Sequence, residues 1–189
     1  MDIRRSVESE RSQLLDIHRL AFGHDEGSVV AQLVNDLLDD HSAKPILSLV
    51  AVEDGRPVGH VLFTHAVIAS KARSIPAQIL APLAVLPNEQ NKGIGEKLIN
   101  EGLRILEDSG TRFVFVLGHP TYYPRFGFIP AGAQGFEAPY LIPVEHAEAW
   151  MVLALKGNAM NTKAGKVQCS KTLDEPRYWF GEEIDHSVD

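Results

Sequence analysis

Gln90, Lys92, Gly93 and Gly95 fall within residues 88–102, NEQNKGIGEKLINEG, directly after an apolar run and directly before a helical pattern. Glycine permits positive φ and close backbone approach, so a glycine pair at a helix start presents amide hydrogens that the helix itself does not use. An anion suits that place, because the helix tip carries roughly half a positive charge. Lys92 adds a cation and the Gln90 amide can donate. A dinucleotide-type G-x-G-x-x-G would need glycine at position 98, where Leu98 stands. A G-x-x-x-x-G-K-[ST] loop fails as well, because Glu96 precedes Lys97. What remains is Q-x-x-G-x-G from Gln90 to Gly95, a cradle for a pyrophosphate unless it is an ordinary tight turn.

The elements around the cradle read as one α/β domain over residues 1–189 with a mixed sheet. Leu14, Ile17, His18 and Ala21 share one face of a first helix, with Ser9 as the expected cap and Gly23 as the stop. Val29, Val30, Leu33, Val34, Leu37 and Leu38 form the stripe of a second, with Ser28 as its expected cap. ILSLVAVEDGRPVGHVLFTHAVIAS predicts two strands joined at Asp54-Gly55. A further strand runs from about Gln78 to Leu86, and Pro82 inside it predicts a bulge or local loss of pairing. From Gly93 the apolar stripe Ile94, Leu98, Ile99, Leu103 and Leu106 is helical until Gly110. RFVFVLG then reads as a strand buried on both faces, so this strand–helix–strand unit predicts parallel neighbours. AWMVLALKG is another strand, and the residues from about 157 onward have no clear pattern.

Composition excludes several classes. The net charge of −7 and pI near 5.6 argue against a nucleic-acid partner. No apolar run reaches the ~20 residues that cross a bilayer, so no membrane partner is expected. The charged start MDIRRSVESE lacks an apolar h-region, which makes a cytoplasmic location the expectation. Cys169 is the single cysteine and the eight histidines lack metal-ligand spacing, so no metal site is expected. Exposed sheet edges would permit a homodimer.

LAVLPNEQNKGIGEKLI and YYPRFGF together resemble the coenzyme A motif, L-x-V-x-P followed by Q/R-x-x-G-x-G/A, and the second motif, Y-x-x-x-G-F, of the GNAT superfamily of acyl-CoA-dependent N-acyltransferases. The likeness is to its YhbS-like branch and covers nearly the whole chain. It implies a splayed mixed sheet with flanking helices and acetyl-CoA as co-substrate. On this resemblance Leu83, Ala84 and Val85 offer backbone groups to the pantetheine arm, like an added strand. Asn91, Lys92, Gly93, Ile94, Gly95 and Glu96 surround the pyrophosphate, and the small Ala84 leaves room for the thioester.

The implied reaction moves an acetyl group to a primary amine of a small molecule or protein. A lysine-like amine loses its proton at pH 7 at a cost of roughly 4 kcal/mol. The oxyanion is expected to take a backbone amide between Leu83 and Val85. Tyr123, four residues before Gly127, matches the superfamily's tyrosine acid for the leaving thiolate, with Tyr122 as the neighbouring alternative. Some relatives place a glutamate base on the strand before the coenzyme motif. Here no Asp or Glu occurs between Ser70 and Pro87, and Ile79 stands in that region. His119 is the best ionisable substitute, ahead of His60 and His65, and a water chain without a dedicated base is an equal alternative. Asp25 and Glu26, in a predicted loop GHDEGS between the first two helices, could attract a cationic amine. A transferase of longer acyl groups and a non-catalytic coenzyme A-binding regulator are the competing readings.

Overall fold

The computed structural model describes residues 1–69, 74–155 and 165–179. Strand β1 (Asp2–Arg5) leads through a 3-10 turn at Glu8–Glu10 into α1 (Arg11–Ala21) and α2 (Gly23–Asp39). Gly23, at φ 72°, stops α1 as predicted, but α2 starts at once on the same glycine rather than at Ser28. GHDEGS is therefore the beginning of a helix and not a loop. Asp25 and Glu26 lie in its first turn, where carboxylates offset the positive helix end. Ser9 likewise caps nothing: it lies inside the 3-10 turn, whose Glu10 carboxylate accepts from the Val7 N–H at 3.0 Å.

β2 (Leu47–Glu53) and β3 (Arg56–Ala69) form the predicted hairpin, with both Asp54 and Gly55 at positive φ. β4 (Ile75–Val85) begins before the predicted Gln78 and ends just short of Leu86. After it come α3 (Ile94–Asp108), β5 (Phe113–Leu117), β6 (Ile129–Pro130), β7 (Phe136–Glu137), β8 (Trp150–Ala154) and β9 (Gly165–Gln168). The sheet order is β1-β2-β3-β4-β5-β8-β6, with β9 pairing β3 and β7. β4 and β5 are parallel across α3, as the crossover requires.

Alternation along β3 sends Val61 and Phe63 to one face of the sheet and His60 and Leu62 to the other. α3 covers the first face, where Ile94, Leu98 and Ile99 join Val61, Phe63 and Leu83 in one cluster. Helix and strand approach closely there: a Cβ on Gly102 would stand 2.3 Å from the Phe63 ring. α2 covers the second face with Leu33, Val34 and Leu37 against Leu62, Ala66 and Ile79. Full burial of such side chains contributes roughly 1.5–3 kcal/mol each. α1 fills the remainder through Leu14 and Ile17, against Val50 and Ala84.

One polar pair interrupts this second face. His18 Nε2 meets His60 Nδ1 at 2.8 Å, and His60 Nε2 meets Ser48 Oγ at 2.8 Å. Both rings are fully buried. Burial disfavours their charged forms, pushing His60 down to about 3 and His18 well below its ordinary value. His60 is thereby a neutral link between α1 and β2.

Candidate functional site

β4 and β5 pair only at Gln78↔Val114 and Ile79↔Phe115, after which β5 continues against β8 alone. From Leu80 to Val85 the β5 side of β4 is an open edge. The split coincides with a bulge: Val61 opposes Leu83 and Phe63 opposes Leu80, so Ala81 and Pro82 share the place opposite Leu62. Pro82 cannot donate to a ladder, which fits the end of pairing at this point.

Main-chain groups alternate between the two edges of a strand. Leu86 N–H donates to Val58 O at 2.9 Å on the β3 side. The same alternation turns the N–H and C=O of Val85 and Leu83 to the open edge and those of Ala84 toward β3. This corrects the expectation that all three residues present backbone groups. Ala84 brings only its small side chain, which packs with Leu14 and Ile17 of α1. Gln90, expected at the anion, donates its Nε2 to Val85 O at 3.3 Å and so ties the end of β4 to the loop before α3.

That loop is the candidate cradle. Asn91 and Gly93 have φ of 59° and 72°, and Gly93 is the left-handed N-cap of α3. The first helical bond runs from Lys97 N–H to Gly93 O at 3.2 Å. The amides of Ile94, Gly95 and Glu96 lie outside the helical ladder, at the positive tip. Ile94 sends its side chain into the core, so only its amide belongs to the cradle. Lys92 Nζ pairs with Glu89 at 2.7 Å, which offsets part of its charge.

At the other end of the gap lies a cavity of about 290 Å³. Its floor is β4 from Ile79 to Leu83. One wall is Phe22 with the first turns of α2, from Asp25 to Leu33. Leu117 and Tyr123 form a second wall, and Leu173, Arg177, Tyr178 and Trp179 a third. Tyr123 therefore stands where β4 and β5 part. Its ring lies edge-on to Tyr122 at 5.2 Å and to Phe128 at 5.7 Å, and rests against the backbone of Gly118. Burial, with a smaller contribution from Tyr122, raises its pKa well above the ordinary phenol value. The phenol keeps its proton.

The structure does not bring His119 to this cavity. Although four residues from Tyr123, it is exposed, with Nδ1 2.8 Å from Thr121 Oγ1, and lines none of the three walls. His60 is sealed in the core as described, and His65 is only half-buried on the same strand. No carboxylate on β4 replaces them.

The sequence profile of the acetyltransferase (GNAT) domain matches residues 2–131. The N-acetyltransferase YjhQ of Escherichia coli K12 is 46% identical over 163 residues, covering 86% of this chain and 88% of that protein. The chain belongs to the GNAT family of N-acetyltransferases. Its relative YhbS of the same strain is 36% identical over 144 residues, 76% of this chain and 82% of YhbS. The crystal structure of YhbS from Escherichia coli in complex with CoA superposes with a TM-score of 0.81 at 28% identity, over 92% of both chains. A GNAT acetyltransferase from Brucella melitensis in complex with acetyl-CoA gives 0.71 at 28% identity, over 92% of this chain and 97% of that one.

Two parts of this acetyltransferase's cavity were not foreseen from sequence. Val29, on the predicted apolar stripe of α2, is half exposed and faces the cavity. The third wall comes from the patternless C-terminal stretch, which side chains hold down: Trp179 Nε1 donates to Leu173 O at 2.7 Å, and Thr172 N–H to Asp40 Oδ2 at 3.0 Å. An apolar triplet Leu173, Tyr178, Trp179 in a polar segment was the available signal. Burial above all pushes the Cys169 thiol up to about 12, which disfavours its thiolate. Among the described residues no group of three or more His, Cys, Asp or Glu could hold a metal ion, and no helix is long and apolar enough to cross a membrane.

Proposed function

We propose that this chain transfers an acetyl group from acetyl-CoA directly to the primary amine of a small molecule or protein. The observation that carries the proposal is the open edge of β4, which runs from the cavity to the glycine-opened tip of α3. An extended pantetheine arm fits that edge as an added strand at Leu83 and Val85. A diphosphate fits the amides of Ile94, Gly95 and Glu96, with Asn91, Lys92 and Gly93 shaping the loop. The CoA and acetyl-CoA held by the two similar crystal structures support the same assignment.

In the proposed reaction the neutral amine attacks the thioester carbonyl, the C–N bond forms and the C–S bond breaks. The Leu83 or Val85 N–H on the open edge would receive the oxyanion, a contribution worth ~3 kcal/mol elsewhere. Tyr123 would donate a hydrogen bond to the departing sulfur. Its raised pKa makes complete transfer to a thiolate of pKa about 8.5 uphill. Stabilisation of the developing charge is therefore its role. With no carboxylate on β4 and His119 away from the cavity, the amine proton leaves through water or to Asp25 or Glu26, which line the cavity. A cytoplasmic location belongs to the proposal.

Thiol release from acetyl-CoA in the presence of an amine panel tests the reading. Amine-dependent release is expected. Tight binding of acetyl-CoA with no amine-dependent release would favour a non-catalytic regulator.

A further inference from the structure

From the lining of the cavity we infer that the acceptor is a small primary amine carried on an apolar body, and that Val29, Val30 and the C-terminal wall select it. This rests on the transferase reading above and goes beyond it by naming the substrate class. The α2 stripe divides in two. Leu33, Val34 and Leu37 enter the core cluster, whereas Val29 and Val30 lie outside every core cluster and line the cavity. Val29 is 50% exposed. Two adjacent valines turned to a cavity beside the proposed thioester position contribute nothing to the core, and a ligand is what would bury them.

Across the cavity stand Leu173, Tyr178 and Trp179. This wall is built in advance. Trp179 is almost fully buried, lies edge-on to Trp150 at 5.6 Å and is anchored through Leu173 O. Arg177 reaches the cavity too, but its Nε pairs with Glu175 at 2.8 Å and its guanidinium lies over the Tyr178 ring. Asp25 has its own neighbour in His24 Nδ1 at 3.4 Å, and over the lining the two carboxylates of Asp25 and Glu26 outnumber the one guanidinium, so the cavity is acidic by formal charge. Acidic groups draw in an ammonium ion. Apolar walls reward a hydrocarbon body and give hydroxyls few partners, so a hydroxyl-rich acceptor would lose its water without replacement. A volume of about 290 Å³ lies at the foot of the usual ligand-pocket range, roughly 300–1,000 Å³, and fits a small amine.

The test measures kcat/KM with acetyl-CoA for straight-chain amines from propylamine to octylamine and for phenethylamine. Hydroxyl-bearing amines of equal length, spermidine and a lysine-containing peptide complete the panel. At about 0.8 kcal/mol per buried methylene, kcat/KM should rise roughly fourfold per added carbon until the cavity is filled. Val30→Ser should flatten that rise while the thermal melt stays cooperative, since Val30 is outside the core clusters. A flat alkyl series, or hydroxylated amines, spermidine or the peptide matching the alkylamines, would overturn the acceptor class and leave the transferase standing. No amine-dependent thiol release with any acceptor would overturn both.

Discussion

Replacing Gly118 with alanine removes none of the proposed catalytic groups but displaces one of them. A Cβ on Gly118 would stand 2.3 Å from Tyr123 Cε2 and 2.9 Å from Cδ2. Carbon atoms in contact need about 3.5 Å, so one partner has to shift by about 1 Å. The backbone of Gly118 is fixed by its N–H donating to Ala149 O at 2.9 Å, next to the β5·β8 pairing. The Tyr123 ring must therefore move, against Tyr122 and Phe128, which enclose it. Overpacking of this kind costs typically 1–3 kcal/mol of stability, and a misplacement of about 1 Å at a reacting centre can cost about 10²-fold in rate. Gly118→Ala should thus remain folded and lose about two orders of magnitude in amine-dependent thiol release. Its affinity for CoA by calorimetry should change little, because the cradle at α3 is untouched. A folded variant turning over within threefold of the parent would refute the placement of Tyr123 at the sulfur.

Further outcomes follow from other parts of the molecule. Tyr123→Phe removes the hydroxyl without changing the ring and should lower kcat by ~10²-fold or more, as loss of one donor to a developing anion does, with KM nearly unchanged; an unaltered kcat would remove it from the reaction. A Cβ on Gly93 would meet no atom within 4 Å, so the penalty of Gly93→Ala comes from φ 72° alone. The free loop then relaxes out of that conformation at a gain of ~1–2 kcal/mol and must regain it on binding, so CoA should bind roughly five- to thirty-fold more weakly by calorimetry, and wild-type affinity would exclude the cradle. The buried His18–His60 pair makes the fold acid-sensitive. His60 falls from 6.5 in the unfolded chain to about 3 when folded, so the unfolded chain binds the extra proton and stability is lost as pH falls below about 6.5. Between pH 7 and pH 5 His60 alone should remove ~2 kcal/mol, with His18 adding in the same direction. Urea titrations at the two pH values that agree within 0.5 kcal/mol would contradict this.

What was legible in the sequence is what local chemistry fixes. Gly93 at a helix start and Pro82 inside a strand each carry a backbone requirement that their surroundings must respect, and both appear as read, as does the buried strand in the apolar run before Gly118. Less legible were features decided by one local signal overriding another or by contacts remote in the chain. Ser28 carried the local signal for a cap, yet Gly23 both ends α1 and opens α2, which moved Asp25 and Glu26 into a helix. His119 is near Tyr123 in sequence, but the turn between them points the imidazole at Thr121 and away from the gap. The third cavity wall has no periodicity. It exists because Asp40 and Ser42 hold the backbone of Thr172 and Lys171 from far along the chain, at 3.0 and 2.8 Å.

The most direct measurement is a crystal structure of the chain with acetyl-CoA. The pantetheine arm should lie along the open edge of β4, hydrogen-bonded to the main chain of Leu83 and Val85, with the diphosphate on the amides of residues 94–96 and the sulfur beside Tyr123. Acetyl-CoA bound away from that edge, or β4 and β5 paired through Leu83 in the complex, would contradict it.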